Sequence, residues 1–280
     1  MKRSHIKWTP SNTILFIFLF LFGLIWIYPF VWMISASLKT NLEIILSGLN
    51  LVPKSPSFDA YKRAWVEARF NTYFLNSILT SAGSILVVVI RCSLAGYVLA
   101  MYNFKGKKLI TSIMLITFFV PVGTTLIPIV DLSNKLHLLN TRVGLILALS
   151  AGGHVSSVLL YRGFFGQTPK SLMEAGIIDG ASFIQIFGKI MLPLAGPVTA
   201  TTIIMTFMSS WNAFMQPLVF TFSNPNLRTL PVGMMAFSKG DTIDYGGQCA
   251  AAVLSVTPIA IAYIFAQQYF VNGIAGAVKS

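Results

Sequence analysis

Of the chain's 280 residues, 55% are hydrophobic and only 10% are charged, less than half of the roughly 25% charged fraction of ordinary soluble domains. So few charges cannot cover a soluble core of this size, and a lipid bilayer is the solvent that suits the composition. A net charge of +12 in a soluble protein would suggest nucleic-acid binding; here the basic residues sit mostly in short segments between apolar runs, so anionic lipid headgroups are the expected partner and nucleic acid is not.

A bilayer core about 30 Å thick needs roughly 20 apolar helical residues. Residues 14–33 form the first such run, after Lys2, Arg3 and Lys7. Ser35-Ala36-Ser37 resembles a cleavage site, but the apolar stretch exceeds the roughly 7–15 residues of a signal-peptide core, so it reads as an uncleaved span. The second run, 76–102, is apolar except for Arg91. A charge at that depth is expensive and faces a cavity or a partner; contact with substrate and a structural pairing across a subunit interface both remain open. Further runs cover 109–130, 143–161, 194–222 and 249–270, which makes six spans. In the fourth, His154 follows Gly152-Gly153 and either lines a path or sits where small residues let helices pack closely. In the fifth, Trp211, Asn212 and Gln216 precede Pro217, and both helix bridging and a translocation route suit them. Pro29, Pro121, Pro128, Pro217 and Pro258 are positioned to kink their spans. Cys92 and Cys249 lie in or beside apolar runs as small hydrophobes, and without a CxxC or Cys/His cluster no metal is expected.

Six spans place both termini on one side. If that side is the cytoplasm, ten basic residues lie inside and nine outside, alongside two and six acids respectively. The short N-terminal tail and the Phe104-Lys105-Gly106-Lys107-Lys108 turn hold dense positive charge near membrane ends, where the positive-inside rule counts most, so the termini are expected in the cytoplasm.

The loop 166–193 between the fourth and fifth runs is too long for a tight turn. Thr168-Pro169 suits a helix start and Asp179-Gly180 a helix stop. On the intervening wheel Lys170, Ser171 and Glu174 share one face, with Leu172, Ala175 and Gly176 behind. Glu174 has two ordinary readings, a capping box with Ser171 and an i,i+4 pair with Lys170. The wider spacing favours a third. Glu174-Ala175-Gly176, three residues, Gly180, nine residues and Ile190-Met191-Leu192-Pro193 resemble the EAA loop of ABC-importer permeases, whose pattern is Glu-Ala-Ala, three residues, Gly, nine residues, Ile-x-Leu-Pro. Only Gly176 departs, replacing an alanine.

Asn140-Thr141 before Gly144-Leu145-Ile146-Leu147, Ile178-Asp179-Gly180-Ala181-Ser182, Trp211-Asn212, Thr229-Leu230-Pro231 and the ending Gln268-Tyr269-Phe270-Val271-Asn272-Gly273 with Ala275-Gly276-Ala277-Val278-Lys279 extend the likeness over most of the chain. They resemble the MalG-like branch of carbohydrate-uptake ABC transporters. The resemblance implies an all-α membrane protein of six transmembrane helices with a cytoplasmic coupling helix, the type I ABC-importer (MetI-like) permease fold, in a bacterial or archaeal cytoplasmic membrane. It implies a non-catalytic permease subunit paired with a second, homologous permease, two ATPase subunits and an extracellular solute-binding protein that delivers a sugar or oligosaccharide. Glu174, Ala175, Gly176, Asp179 and Gly180 would form the ATPase-coupling element, and the tail 273–280, with Gly276 and Lys279, would reach between the ATPases. Arg91, His154, Trp211, Asn212 and Gln216 are the candidates for the pathway. ATP and Mg²⁺ would belong to the ATPases, since no GxxxxGK[ST] loop occurs here.

Two competing classes fit less well. An ion-coupled secondary transporter calls for repeated halves and intramembrane acids, whereas no Asp or Glu lies within the six runs and no internal repeat is visible. For a membrane enzyme, three histidines without HExxH or GxSxG assemble no catalytic site.

Overall fold

A computed structural model describes residues 10–120, 122–152, 154–239 and 242–277. Lys2, Arg3, Lys7, Pro121, Gly153, Asp241 and Lys279 lie outside the described residues, as do the last three positions of the tail. The chain divides into two units, residues 1–70 with 234–256 and residues 71–233 with 257–280.

In the first unit, Pro10–Ala36 runs 27 residues and buries only Ser35 and Ala36 at its end. Large side chains such as Ile14, Phe18, Ile25 and Trp26 stay exposed on all sides. A helix in water keeps one apolar stripe against a core; a helix apolar all round needs lipid. At its far end, polar groups tie the helix to the following segment: Trp32 Nε1 donates to Gly48 O at 3.0 Å and Tyr28 Oη to Leu49 O at 2.6 Å. Thr40 caps Asn41–Ser47 by accepting from Glu43 N at 3.2 Å. Arg63 donates a fork to Asp244, Nε to Oδ2 at 2.9 Å and Nη2 to Oδ1 at 3.0 Å. Asp244 Oδ1 also accepts from Gly247 N at 2.9 Å. This clamp closes the antiparallel pair Ser238–Lys239 and Thr242–Ile243 onto the rest of the unit. The Arg63 guanidinium, aided by the Gly247 N–H, holds the Asp244 carboxyl below the usual carboxylate range.

The second unit is organised on Phe70–Met101, a helix of 32 residues and hence about 48 Å long. Tyr73, Ser77, Thr80, Ser84, Val88 and Cys92 are buried. They recur every three or four residues and make one inward stripe. Leu75, Ile78, Leu79, Leu86 and Ile90 are exposed, as a lipid-facing side requires. Near its C-terminal end Gly96 passes Tyr161, where an added Cβ would lie 2.4 Å from the Tyr161 Cβ. Only glycine lets these two helices approach so closely.

Three of the expected spans are not single helices. The run 109–130 breaks after Lys107–Ile116 into 3₁₀ turns at Thr117–Phe119 and Val122–Thr125 before Leu126–Lys135. The run 143–161 is split into Arg142–Ala151 and Val155–Gln167, and Gly152, just after the first helix, has open space where a side chain would stand. The run 194–222 contains Gly196–Trp211 and, after Asn212, Met215–Phe220. Pro217 lacks the N–H that would bond to Ala213 O, so one ladder cannot continue through it. Gly196–Trp211 also turns 82° from the preceding Phe183–Leu194. Among the described residues, two helices are long and apolar enough to cross a bilayer alone, five if each bent pair counts as one span, and Tyr245–Ile261 is a shorter apolar helix.

Candidate functional site

The loop 166–193 folds into a short helix on a firm base. The helix is Lys170–Ile178, with Pro169 as its N-cap and no side-chain cap. Thr168, expected as the cap, instead donates Oγ1 back to Phe164 O at 3.2 Å, closing the preceding helix. Neither ordinary reading of Glu174 is realised. Ser171 lies inside the helix rather than before it, and the described ion pairs do not include Lys170 with Glu174. Glu174 is exposed and forms no hydrogen bond or ion pair among the described residues.

The helix ends as Asp179-Gly180 indicated. Gly180 has φ +75°, its N–H donates to Ile177 O at 3.0 Å, and Ala181 N donates to Gly176 O at 2.9 Å. This double closure is the Schellman arrangement, and its left-handed residue favours glycine. The next turn opens with a reciprocal box: Ser182 Oγ accepts from Gln185 N at 3.4 Å and Gln185 Oε1 accepts from Ser182 N at 2.8 Å. The Ser-x-x-Gln spacing is the signal that announces it in the sequence.

The buried seam differs from the helical wheel. Gly176 is buried and Met173 packs against the core cluster, whereas Leu172 is 40% exposed and Ala175 is exposed. Ile186 and Ile190 lie against Gly176. An added Cβ on Gly176 would meet Ile190 Cδ1 at 3.1 Å and Ile186 Cγ1 at 3.2 Å. Beneath them lies an aromatic hub. The Tyr97 ring sits 5.5–5.7 Å from those of Tyr102, Phe165, Phe183 and Phe187, so the long helix, Val155–Gln167 and the loop share one anchor. Glu174 thus stands with Lys170, Ser171, Ile177 and Ile178 on an exposed face of mixed polarity, on a helix seated from behind.

Of the five pathway candidates, two converge. Arg91 and His154 line one cavity of about 640 Å³, together with Met114, Thr117, Phe118 and Thr125. Arg91 Nη1 donates to Ala151 O at 3.4 Å. His154 lies just before Val155–Gln167, and its carbonyl accepts from Cys92 Sγ at 3.7 Å. The other three lie elsewhere. Trp211 is 3% exposed and packs on Phe74 and Phe207, with ring centroids 6.0 and 5.2 Å away. Asn212 is exposed and folds its Nδ2 onto Met208 O at 2.8 Å. Gln216, half-buried, opens the short helix Met215–Phe220. Among the described residues no group of His, Cys, Asp and Glu is arranged to hold a metal.

Broken apolar helices around a mostly apolar cavity, with an exposed acid on a short helix of the loop, suit a membrane transport subunit. The chain belongs to the family of binding-protein-dependent transport system inner membrane components, whose model matches residues 93–276. It is 32% identical over 278 residues to the probable ABC transporter permease protein YurM of Bacillus subtilis, covering 99% of this chain and 92% of that one. It is 34% identical to the diacetylchitobiose uptake system permease protein NgcG of Streptomyces coelicolor, covering 93% and 85%. The arabinooligosaccharides transport system permease protein AraQ of Halalkalibacterium halodurans is also 34% identical, with 90% and 91% covered. The fold matches a chain of a bacterial ABC transporter involved in the import of the acidic polysaccharide alginate, with a TM-score of 0.76 over 94% of this chain and 99% of that one, at 24% identity. The protein therefore has the type I ABC-importer permease fold and is a permease subunit, an inner membrane component that works with an ATPase and a solute-binding protein. This family membership sets aside the ion-coupled secondary transporter and the membrane enzyme.

Proposed function

We propose that the chain forms half of the translocation pathway for a sugar or oligosaccharide, with a second, homologous permease completing it. The relatives named for diacetylchitobiose and arabinooligosaccharides support the carbohydrate class. Two ATPase subunits, holding ATP and Mg²⁺, drive the cycle, and an extracellular solute-binding protein delivers the substrate. The termini and the loop 166–193 face the cytoplasm, where the tail 273–280, with Gly276 and Lys279, reaches between the ATPases.

One observation carries this reading: Glu174 is exposed and, among the described residues, unpaired, on a helix whose opposite edge is seated by Gly176 against Ile186 and Ile190. A seated helix that presents Glu174 beside exposed Ile177 and Ile178 suits a groove that has an apolar wall and a basic residue. Nucleotide-driven closure of the ATPases pushes this helix, and Val155–Gln167, 13 residues or about 20 Å long, carries the displacement from the loop to His154 at the cavity. That is a rigid-body switch. The test is Glu174→Lys in the reconstituted complex: uptake is lost and less ATPase co-purifies with the permease. Uptake and co-purification equal to wild type would overturn the coupling role.

A further inference from the structure

We infer that the transported sugar carries an oxyanion, held during passage by Arg91. The inference rests on the carbohydrate reading above and narrows it. Arg91 lies ten residues before the end of a 32-residue helix, about 15 Å along the axis. It falls within the run 76–102, which is otherwise uncharged.

Its counter-charge does not come from the described residues. The two ion pairs among them are Arg63–Asp244 and Lys135–Asp131. Arg91 has the Ala151 carbonyl at 3.4 Å and the adjoining Cys92 thiol, while a guanidinium offers five N–H donors. The side chain is exposed toward the cavity it lines. An uncompensated cation at this depth is costly and marks a site for a charged occupant.

The rest of the wall describes that occupant. Met114 and Phe118 give apolar faces for the C–H side of a sugar ring, while the Thr117 and Thr125 hydroxyls and the His154 imidazole supply a few hydrogen-bonding groups. Sparse polar groups in a mostly apolar wall are the make-up of a ligand site, and about 640 Å³ lies within the roughly 300–1,000 Å³ of such sites. A carboxylate meets a guanidinium through two parallel bonds, a fixed geometry that a hydroxyl cannot reproduce. An acid reaching in from the second permease would neutralise the same charge, but one side chain would leave most of this volume empty.

The test uses the complete complex in proteoliposomes with its binding protein. Competing uptake is measured for matched disaccharides, digalacturonate against galactobiose and cellobiouronate against cellobiose. Wild type is expected to prefer an acidic member. Arg91→Gln should lower the acidic-to-neutral uptake ratio about 10–100-fold, as loss of a charged hydrogen bond implies, and Arg91→Lys should fall between them. Preference of wild type for the neutral member overturns the inference. So does an Arg91→Gln variant that keeps the ratio and either slows every sugar alike or separates the two permeases on purification, which assigns Arg91 to a subunit contact. Uptake of no sugar at all, while the binding protein still stimulates ATP hydrolysis, overturns the carbohydrate reading itself and this inference with it.

Discussion

Replacing Gly176 tests whether the loop helix acts as a rigid element or merely lies on the surface. An alanine Cβ would stand 3.1 Å from Ile190 Cδ1 and 3.2 Å from Ile186 Cγ1, a few tenths of an ångström too close. The first neighbour is the end of a half-buried side chain and can turn aside. Against this strain, alanine in a helix interior gains about 1 kcal/mol over glycine, so Gly176→Ala should stay within about 1 kcal/mol of wild type and transport normally. Leucine has no such escape. Its added carbons run into Ile186, 1% exposed, as well as Ile190. Overpacking of this kind costs about 1–3 kcal/mol, and the nearest relief is to lift Lys170–Ile178 off its base. Gly176→Leu should therefore lose uptake and inactivate at lower temperature in the reconstituted complex. A leucine variant with wild-type uptake and heat resistance would show that the seam is not packed. An alanine variant without transport would show that the isoleucines cannot yield.

The C-terminal end of the loop helix was more legible in the sequence than its start or its orientation. Asp179-Gly180 announced the stop because only glycine enters a left-handed closure at no cost, whatever surrounds it. The inward edge was not legible from the helix alone, since Ile186 and Ile190 select it from outside and the wheel cannot weigh a partner. Apolar runs located the membrane segments by composition, but a run of apolar residues reads alike whether its backbone is one helix or two. The splits at Gly152 and near Pro217 depend on what satisfies the freed backbone groups, which is settled by neighbouring helices. Arg91 and His154 are 63 positions apart in the chain. Nothing in either segment announced that they share a cavity, whereas Trp211, equally suggestive as a residue type, faces Phe74 and Phe207. The clamp of Arg63 on Asp244 spans 181 positions, and neither residue belongs to a motif that would single it out.

Tyr97→Ala should cost about 3–5 kcal/mol, the range for emptying a large buried side chain, because the hub beneath the loop loses four ring contacts at once. Tyr97→Phe, which keeps the ring and gives up the 3.3 Å hydroxyl contact with Tyr102, should retain most of the heat resistance; equal losses in the two variants would refute the packing role. The Asp244 carboxylate makes a different prediction. Its side chain and that of Arg63 are 26% and 37% exposed, so solvent screening reduces the fork to about 1 kcal/mol, the loss expected for Asp244→Asn at neutral pH. Because Arg63 holds the folded-state pKa below the ordinary value, this contribution is complete above the unfolded carboxylate pKa of about 3.9 and disappears as pH falls through the depressed folded value. Amide hydrogen exchange across residues 39–70 and 234–247, corrected for its intrinsic pH dependence, should show wild type better protected than Asp244→Asn at pH about 7, and the difference should close as pH falls below about 4. A difference that persists unchanged into that acid range would mean that the carboxylate's charge contributes nothing to the clamp, and that its shape and neutral hydrogen bonds alone hold the first unit together.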